Sequence, residues 1–129
     1  MKTIEVVAAI ITDNEKIFIT RRGYGDFIDM WEFPGGKVEY SETKEEALIR
    51  EIKEELELDI NEIDYLTTVE YDYPNFHLIM HCYTCKISGG TLSLHAHNDA
   101  KWVTLDQLDN QKWVPADVDV VKAIKDKYN

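Results

Sequence analysis

Three glutamates, Glu51, Glu54 and Glu55, lie at a spacing that could hold a divalent cation. At 100° of turn per residue, a helix would place the three carboxylates within an arc of about 100° on one face. Like charges at these spacings repel each other, and a divalent cation converts that repulsion into binding. Ligands that are all oxygen favour magnesium, manganese or calcium over zinc. The alternative interpretation is a solvated acidic helix face, which an arbitrary cluster of this kind usually is.

A helix over residues 42–58 is predicted to carry these glutamates. Apolar residues recur along it at helical spacing, namely Leu48, Ile49, Ile52 and Leu56. Thr43 and Glu46 form a capping-box pattern near its start. The carboxylates would therefore lie beside an apolar stripe that faces the core.

The rest of the chain is predicted to be mostly strands. Strands are expected at 3–12, where the residues indicate burial on both faces, and at 17–22, 65–73, 76–87, 91–94 and 101–104, with a last helix at 116–127. Turns are expected at 13–14, 74–75 and 89–90, and a Pro-Gly-Gly bend at 34–36. The order of elements lacks the steady alternation of a doubly wound parallel sheet. It favours an α+β sandwich with a mixed sheet, as a single domain over 1–129.

The composition limits the classes of partner. With 25 acidic and 14 basic residues and a net charge of -11 at pH 7, the chain lacks the basic stripe that polymeric nucleic acid requires. A small anionic substrate would need a bridging cation to approach this protein. The longest apolar stretch, 6–11, is far shorter than the ~20 residues needed to cross a bilayer. The start does not resemble a secretory signal, so a cytoplasmic protein without membrane partners is predicted.

Cys82 and Cys85, with His77 and His81 nearby, raise the question of a zinc or redox site. The segment around them is predicted to be a strand, in which positions three apart point to opposite faces. The two thiols should therefore diverge, which argues against zinc.

The residues around the glutamates resemble the Nudix box. The matching positions are Gly36, Glu42, Arg50, Glu51, Ile52, Glu54, Glu55 and Leu58. One position departs, because Glu57 stands where the family usually has the glycine that eases the chain out of the helix. The resemblance implies a Nudix-type α/β/α sandwich with a central mixed sheet. It also implies hydrolysis of a nucleoside diphosphate linked to another moiety, with water attacking a phosphate.

The resemblance also implies roles for the residues of the box. The implied metal ligands, for Mg2+ or Mn2+, are the backbone carbonyl of Gly35 and the carboxylates of Glu51, Glu54 and Glu55. Arg50 would orient these glutamates, and Glu42 belongs to the same catalytic set. Glu51 and Glu54 are both candidates for the general base, since each could hold a water within hydrogen-bond reach.

Three segments outside the box, 4–11, 17–22 and 31–37, resemble the MutT and CTP pyrophosphohydrolase branch of the family. The substrate-binding residues implied by this branch are Arg22, Glu32, Lys37, Phe76 and Asp117. Arg22 would meet a phosphate, because a guanidinium donates to two oxygens, and Arg21 should then point to the other face. A solvated strand edge is the alternative for this arginine pair.

Asp117 lies in a segment that resembles the family's base-recognition stretch before the final helix. An ionised carboxylate accepts hydrogen bonds, which suits the amino group of cytosine and equally the N1-H and amino edge of guanine. The alternative is that Asp117 caps the last helix. Phe76 could stack on a base, although an aromatic residue in a strand more often belongs to the core.

The loop before Trp102 carries the largest departure from the family. Relatives commonly have a glutamate there that contacts the metal or assists the attacking water, whereas residues 95–99 contain none. Asp99 or His97 would have to substitute as an acid or base, or the helix carboxylates would act alone.

These features predict Mg2+-dependent hydrolysis of a nucleoside or deoxynucleoside triphosphate to the monophosphate and pyrophosphate. The predicted enzyme is a monomer or homodimer. Its predicted role is sanitation of the nucleotide pool, which serves DNA repair. The base is left open between 8-oxo-dGTP and the cytosine nucleotides CTP, dCTP and 5-hydroxy-dCTP. The missing loop glutamate keeps a second hypothesis open, a non-catalytic Nudix-fold module that binds a nucleotide as a signal. A purely structural acidic protein is the third, and it predicts no coupling between Mg2+ and stability.

Overall fold

The computed structural model describes residues 1–128, which fold into one sheet with a helix on each face. The strands are β1 (Lys2–Asp13), β2 (Lys16–Arg22), β3 (Trp31–Glu32), β4 (Gly35–Lys37), β5 (Leu58–Tyr73), β6 (Phe76–Gly90) and β7 (His97–Thr104). The helices are α1 (Lys44–Leu56), α2 (Asp117–Tyr128) and a 3-10 helix at Leu105–Asn110 that the sequence did not predict. Within these residues, no helix is both long enough and apolar enough to span a membrane.

The sheet is mixed, as predicted. Its strands run in the order β3-β2-β1-β6-β5, with β4 also beside β1 and β7 beside β2. β1 and β6 are parallel, whereas the other pairings are antiparallel. The central strand β1 therefore lies between β6 on one edge and β4 and β2 on the other, and β4 leads into α1.

Each face of the sheet has its own core. Along β1, Ala8 and Ile10 face α2, and Val7, Ala9 and Ile11 face α1, as the period of two in a strand requires. The α/β/α sandwich is thereby confirmed. Burial on both faces is limited to residues 7–11, because both ends of the strand are exposed or half-buried.

The prediction of the first helix is correct over Lys44–Leu56 and two residues too long at each end. Thr43 caps α1, and its side chain and that of Glu46 form the predicted capping box. At the other end Glu57 adopts the left-handed conformation, with φ 57°, that the family usually reserves for glycine. The departure from the box therefore changes the residue and keeps the turn. Ile49, expected on the apolar stripe, is 45% exposed.

Several strand predictions were wrong, and the start of β5 was missed because that strand is irregular. It pairs with β6 from Leu58 onwards, with three register shifts that break the alternation of residues on each face. Gly89 and Gly90 belong to β6 and pair with Asp59 and Leu58, so they do not form the predicted tight turn. Residues 91–94 form no strand, and β7 begins well before the predicted 101–104 strand.

The predicted divergence of the two cysteines is confirmed. Cys82 lies in the core on the α2 side, and Cys85 lies in the core on the α1 side. Both thiols are free and buried, and burial raises the pKa of Cys85 to about 12. Neither residue is placed to share a metal ion with the other.

Candidate active site

The acidic edge of α1, formed by Glu51, Glu54 and Glu55, runs from the interior to the solvent. Ile52 and Leu56 are fully buried on the adjoining face and fix the orientation of the helix. The Glu51 side chain is 15% exposed and that of Glu54 is 60% exposed. The helix thus brings the three predicted carboxylates to one edge at different depths.

Arg50 connects this acidic edge to the segment before the helix. Its guanidinium donates to both carboxylate oxygens of Glu42 and, at 2.8 Å, to Oε1 of Glu51. It also donates to the backbone carbonyl of Lys37 at 2.9 Å and reaches Glu54 at 3.4 Å. These contacts, above all the bonds to Glu42, raise the pKa of Arg50 above its usual range. Arg50 is therefore placed to orient the glutamates, and Glu42 is placed to hold Arg50.

Two glycines let the backbone before α1 pass close to its neighbours. A Cβ on Gly35 would lie 1.9 Å from the carbonyl oxygen of Val7, and one on Gly36 would lie 2.3 Å from Oε2 of Glu51. The predicted bend is wrong at these residues, since both pair with β1 as part of β4. The pairing is possible because neither residue has a side chain, and Gly36 leaves the space that the Glu51 carboxylate occupies.

Glu55 is the deepest member of the acidic edge. Burial is the main reason why its pKa is raised to about 7, and the nearby Glu51 carboxylate acts in the same direction. The charge of His97 and the backbone N–H of Gly35 act in the opposite direction and lower the pKa. Its Oε1 is buried, and no protein group among residues 1–128 bonds to it. A buried carboxylate oxygen without a partner costs free energy, so this atom suits a position that a cation fills.

The donors at the acidic edge fit a divalent cation. All of them are carboxylate or carbonyl oxygens, which hard cations prefer, and Glu55 offers an oxygen without a protein partner. Within the described residues, no three His, Cys, Asp or Glu side chains are close enough together, as they stand, to hold a metal ion. The reason is visible in the contacts, because Glu51 and Glu54 lie against Arg50. These two carboxylates would have to turn from Arg50 towards the ion.

A cleft of about 560 Å3 opens beside Glu55. The sequence-predicted site residues that line it are Arg22, Glu32, Gly35, Glu55, Phe76 and Asp117. Aromatic rings and a few converging polar groups are typical of small-molecule sites. The predicted residues outside its lining are Lys37, Glu42, Arg50, Glu51, Glu54, His97 and Asp99. Lys37 is exposed and contributes its backbone carbonyl to Arg50.

The two neighbouring arginines of β2 point to different surroundings, as predicted. Arg22 lines the cleft, and its Nη1 lies 3.6 Å from Oε1 of Glu32. Arg21 donates to Asn98 at 2.7 Å and lies over the Trp31 ring. Since 3.6 Å is an ion pair and longer than a hydrogen bond, the Arg22 guanidinium keeps donors for an anion in the cleft.

Asp117 is the first residue of α2 and does not cap it. Its Oδ2 accepts a hydrogen bond from the backbone N–H of Phe33 at 2.8 Å. Burial and the nearby Glu32 carboxylate raise its pKa to about 8, whereas the Phe33 N–H and Arg22 lower it. Only one of the two carboxyl oxygens is used by this bond, so the other can meet a ligand.

Asp117 should make the free energy of unfolding depend on pH. The folded carboxyl keeps its proton up to a pKa of about 8, whereas the unfolded one releases it near 3.8. Its contribution is therefore most favourable below about pH 4 and declines as pH rises to about 8. Relative to wild type, Asp117→Asn should gain stability in urea unfolding as pH rises from about 4 to about 8. A stability difference that stays constant over this range would contradict the raised pKa.

Tyr73 and Phe27 line the cleft and were not singled out from the sequence. The Tyr73 ring stacks on Phe76 at 5.1 Å, and Phe27 lies 5.6 Å from Tyr73. The Tyr73 hydroxyl accepts a hydrogen bond from the backbone N–H of Ala116 at 3.2 Å. Strand periodicity could have placed Tyr73 on an inward face, but nothing local indicates that this face borders a cleft.

His97 and Asp99 lie in β7 and not in the expected loop. The Nε2 of His97, a buried residue, is 3.1 Å from Oε2 of Glu32, so the ring stands behind Glu32 as seen from the cleft. Asp99 is exposed, and its carboxylate accepts a bond from the N–H of Ala100 at 2.8 Å. Their positions differ because a β-bulge interrupts the pairing of β7 with β2.

Comparison with known proteins gives consistent matches. The NUDIX domain profile matches residues 2–124. A relative from Escherichia coli strain K12 named CTP pyrophosphohydrolase is 34% identical over 124 residues, covering 95% of this chain and 92% of the relative. The 8-oxo-dGTP diphosphatase of the same strain is 30% identical over 127 residues, covering 97% and 98%. The solution structure of the E. coli ORF135 protein aligns with a TM-score of 0.83 at 32% identity, covering 97% of this chain and 90% of that one.

Proposed function

The chain belongs to the NUDIX domain family and is a hydrolase that acts on phosphoric anhydrides, and we propose that it cleaves a nucleoside triphosphate to the monophosphate and pyrophosphate with Mg2+ as its cation. The observation that carries the proposal is the set of residues that line the cleft of about 560 Å3. A carboxylate suited to a cation, an arginine suited to phosphate and a buried carboxyl suited to a base, Glu55, Arg22 and Asp117, all line it.

The cation would be held by the backbone carbonyl of Gly35 and the carboxylates of Glu51, Glu54 and Glu55. When bound, it supplies polarisation of the phosphate oxygens and a lowered pKa for water. Glu51 or Glu54 accepts the proton of the attacking water. Before the cation binds, Arg50 holds the Glu51 carboxylate by donating to its Oε1 at 2.8 Å, and this carboxylate would turn from Arg50 towards the ion.

The substrate would lie along the cleft with its phosphates towards α1 and its base towards α2. Arg22 binds a phosphate oxygen, since its guanidinium is held near Glu32 without a short hydrogen bond. Phe76 and Tyr73 offer stacked rings to the base. An acidic chain of net charge -11 tolerates such an anion because the cation neutralises part of its charge.

The base is read by Asp117 in this proposal. The free oxygen of its carboxyl group can accept from the cytosine amino group or from the N1-H and amino edge of guanine, because a protonated carboxyl group keeps acceptor capacity and a carboxylate only accepts. The names of the two relatives compared above match these two kinds of base, since one is named for CTP and one for 8-oxo-dGTP. Cytosine nucleotides and oxidised guanine nucleotides are therefore the two candidate substrates, and removal of a damaged form would serve nucleotide-pool sanitation.

Turnover of 8-oxo-dGTP, CTP, dCTP and 5-hydroxy-dCTP with Mg2+, followed by chromatography of the products, tests the proposal. We expect one class of nucleotide to be preferred. Asp117→Asn should change the ratio of kcat/KM between the two classes by roughly tenfold, since one hydrogen bond to the base is altered. Asp119→Asn on the exposed side of α2 is the matched control and should keep the ranking. An unchanged ranking in Asp117→Asn would reject the role of Asp117, and no turnover of any nucleoside triphosphate would reject the function.

A non-catalytic nucleotide-binding module is the second candidate. It is favoured by the absence of the glutamate expected near residues 95–99, where His97 stands behind the cleft wall. Calorimetry distinguishes the two candidates. Tight nucleotide binding without hydrolysis, unaffected by Glu54→Gln, would favour the module.

A further inference from the structure

The cleft residue Glu32 is held at its backbone and at both carboxylate oxygens. Its backbone carbonyl accepts a bond from the Thr20 hydroxyl at 3.1 Å. Oε2 lies 3.1 Å from Nε2 of His97, and Oε1 lies 3.6 Å from Nη1 of Arg22. Contacts on both oxygens leave the carboxylate one orientation, in which its ion pair places the Arg22 guanidinium at the cleft wall.

A β-bulge directs His97 towards Glu32. In the pairing of β7 with β2, Arg21 is opposite Asp99 and Arg22 is opposite His97, so Asn98 is the additional residue. In a regular strand His97 and Asp99 would share a face. Instead the His97 side chain is 2% exposed, while Asp99 is exposed. Bulges of this kind occur beside active sites and re-aim a side chain.

His97 is kept at this position although one ring nitrogen is unsatisfied. Its buried Nδ1 bonds to no protein group among residues 1–128. Leaving such an atom unpaired costs free energy, and an apolar side chain would fill the space without that cost. The bond between Nε2 and Glu32 is the hydrogen bond that an apolar residue at this position could not make.

We propose that His97 is a positioning residue that holds Glu32, and through Glu32 the Arg22 guanidinium, in the geometry that binds the phosphates of the substrate. The inference rests on the proposed function, because it assigns the phosphate to Arg22. His97 does not line the cleft and so acts only through its neighbour. Its loss should therefore weaken substrate binding more than it slows the chemical step.

Two amide variants distinguish the roles of the two ring nitrogens of His97. Gln extends far enough to donate an N–H where Nε2 lies, whereas Asn reaches only the position of Nδ1. We expect His97→Asn to raise KM about tenfold and to change kcat less than about threefold, as for the loss of one charge-assisted hydrogen bond. His97→Gln should recover most of the wild-type KM. Equal defects in the two variants would overturn the proposal.

His81→Asn is the matched control. His81 also pairs with a carboxylate, with Nε2 2.8 Å from Oε2 of Glu5, and its side chain is 12% exposed. Neither residue lines the cleft. This variant loses a comparable histidine-glutamate contact, so we expect its nucleotide KM to remain at the wild-type value. A KM raised as much as in His97→Asn would overturn the proposal, since the effect would then not be specific to Glu32.

A double-mutant cycle tests the route through Glu32. In a Glu32→Gln background, His97→Asn should add little to the KM, and calorimetry with a non-hydrolysable nucleoside triphosphate should give the same pattern in Kd. An undiminished effect in that background would overturn the proposal. A changed Mg2+ requirement with unchanged nucleotide affinity would also overturn it, because His97 would then act through Glu55. If wild type binds the analogue but hydrolyses nothing, the proposed function fails while the calorimetric comparison still decides the role of His97.

Discussion

Glu54→Gln is expected to lower kcat by roughly 10²–10⁴-fold and to leave the fold intact. The variant removes a charged oxygen proposed to bind the cation and a candidate acceptor for the proton of water. The Glu54 side chain is 60% exposed, and its contact with Arg50 is 3.4 Å long, so little stability depends on it. Pyrophosphate release with Mg2+ gives kcat, and circular dichroism with thermal melting reports the fold.

Glu45→Gln is the matched control for this variant. Glu45 is exposed in the first turn of α1, and at 100° per residue it lies on the side of the helix opposite Glu54. It should keep the wild-type kcat, since it loses the same charge away from the cleft. Wild-type turnover in Glu54→Gln at saturating Mg2+ would remove Glu54 from both the metal site and the proton transfer.

Gly35→Ala is expected to destabilise the fold by about 3 kcal/mol or more and to abolish activity with it. The new Cβ would lie 1.9 Å from the Val7 carbonyl oxygen and 2.9 Å from Cα of Ala8, both backbone atoms of the central strand β1. A backbone atom cannot move aside as a flexible side chain can, so β4 would have to separate from β1. Urea unfolding measures the free-energy change, and turnover measures the activity.

Gly89→Ala controls for the general effect of adding a methyl group to a strand. Its Cβ would meet only the Asp59 side chain, at 3.3 Å, and that side chain can move. Its unfolding free energy should stay within about 1 kcal/mol of the wild-type value. Equal effects of the two substitutions would show that the close approach of β4 to β1 is not what requires Gly35.

The first helix could be predicted because its signals are local. The capping box at Thr43, the spacing of Leu48, Ile52 and Leu56, and the glutamates beside them all lie within one short segment. The mixed sheet followed from the order of elements. The strand β5 was predicted too short because register shifts disrupt the alternation that identifies a strand, and β6 was predicted too short because Gly89 and Gly90 were interpreted as a turn.

The walls of the cleft depend on contacts that no local pattern encodes. The bond between the Phe33 N–H and Asp117 joins residues 84 positions apart, and the contact of His97 with Glu32 spans 65 positions. A resemblance to a family indicated Asp117 and Glu32. It did not indicate Tyr73 or Phe27, nor the bulge that turns His97 inwards and Asp99 outwards.

Phosphorus NMR of the products tests most directly whether this acidic cleft hydrolyses a nucleoside triphosphate with Mg2+. One preparation of the wild-type protein is followed with its preferred substrate, first with Mg2+, then after chelation, then after Mg2+ is restored. We expect equal amounts of nucleoside monophosphate and pyrophosphate, loss of turnover on chelation, and recovery when Mg2+ returns. Nucleoside diphosphate and orthophosphate as products would contradict this function. Turnover that chelation does not reduce would also contradict it.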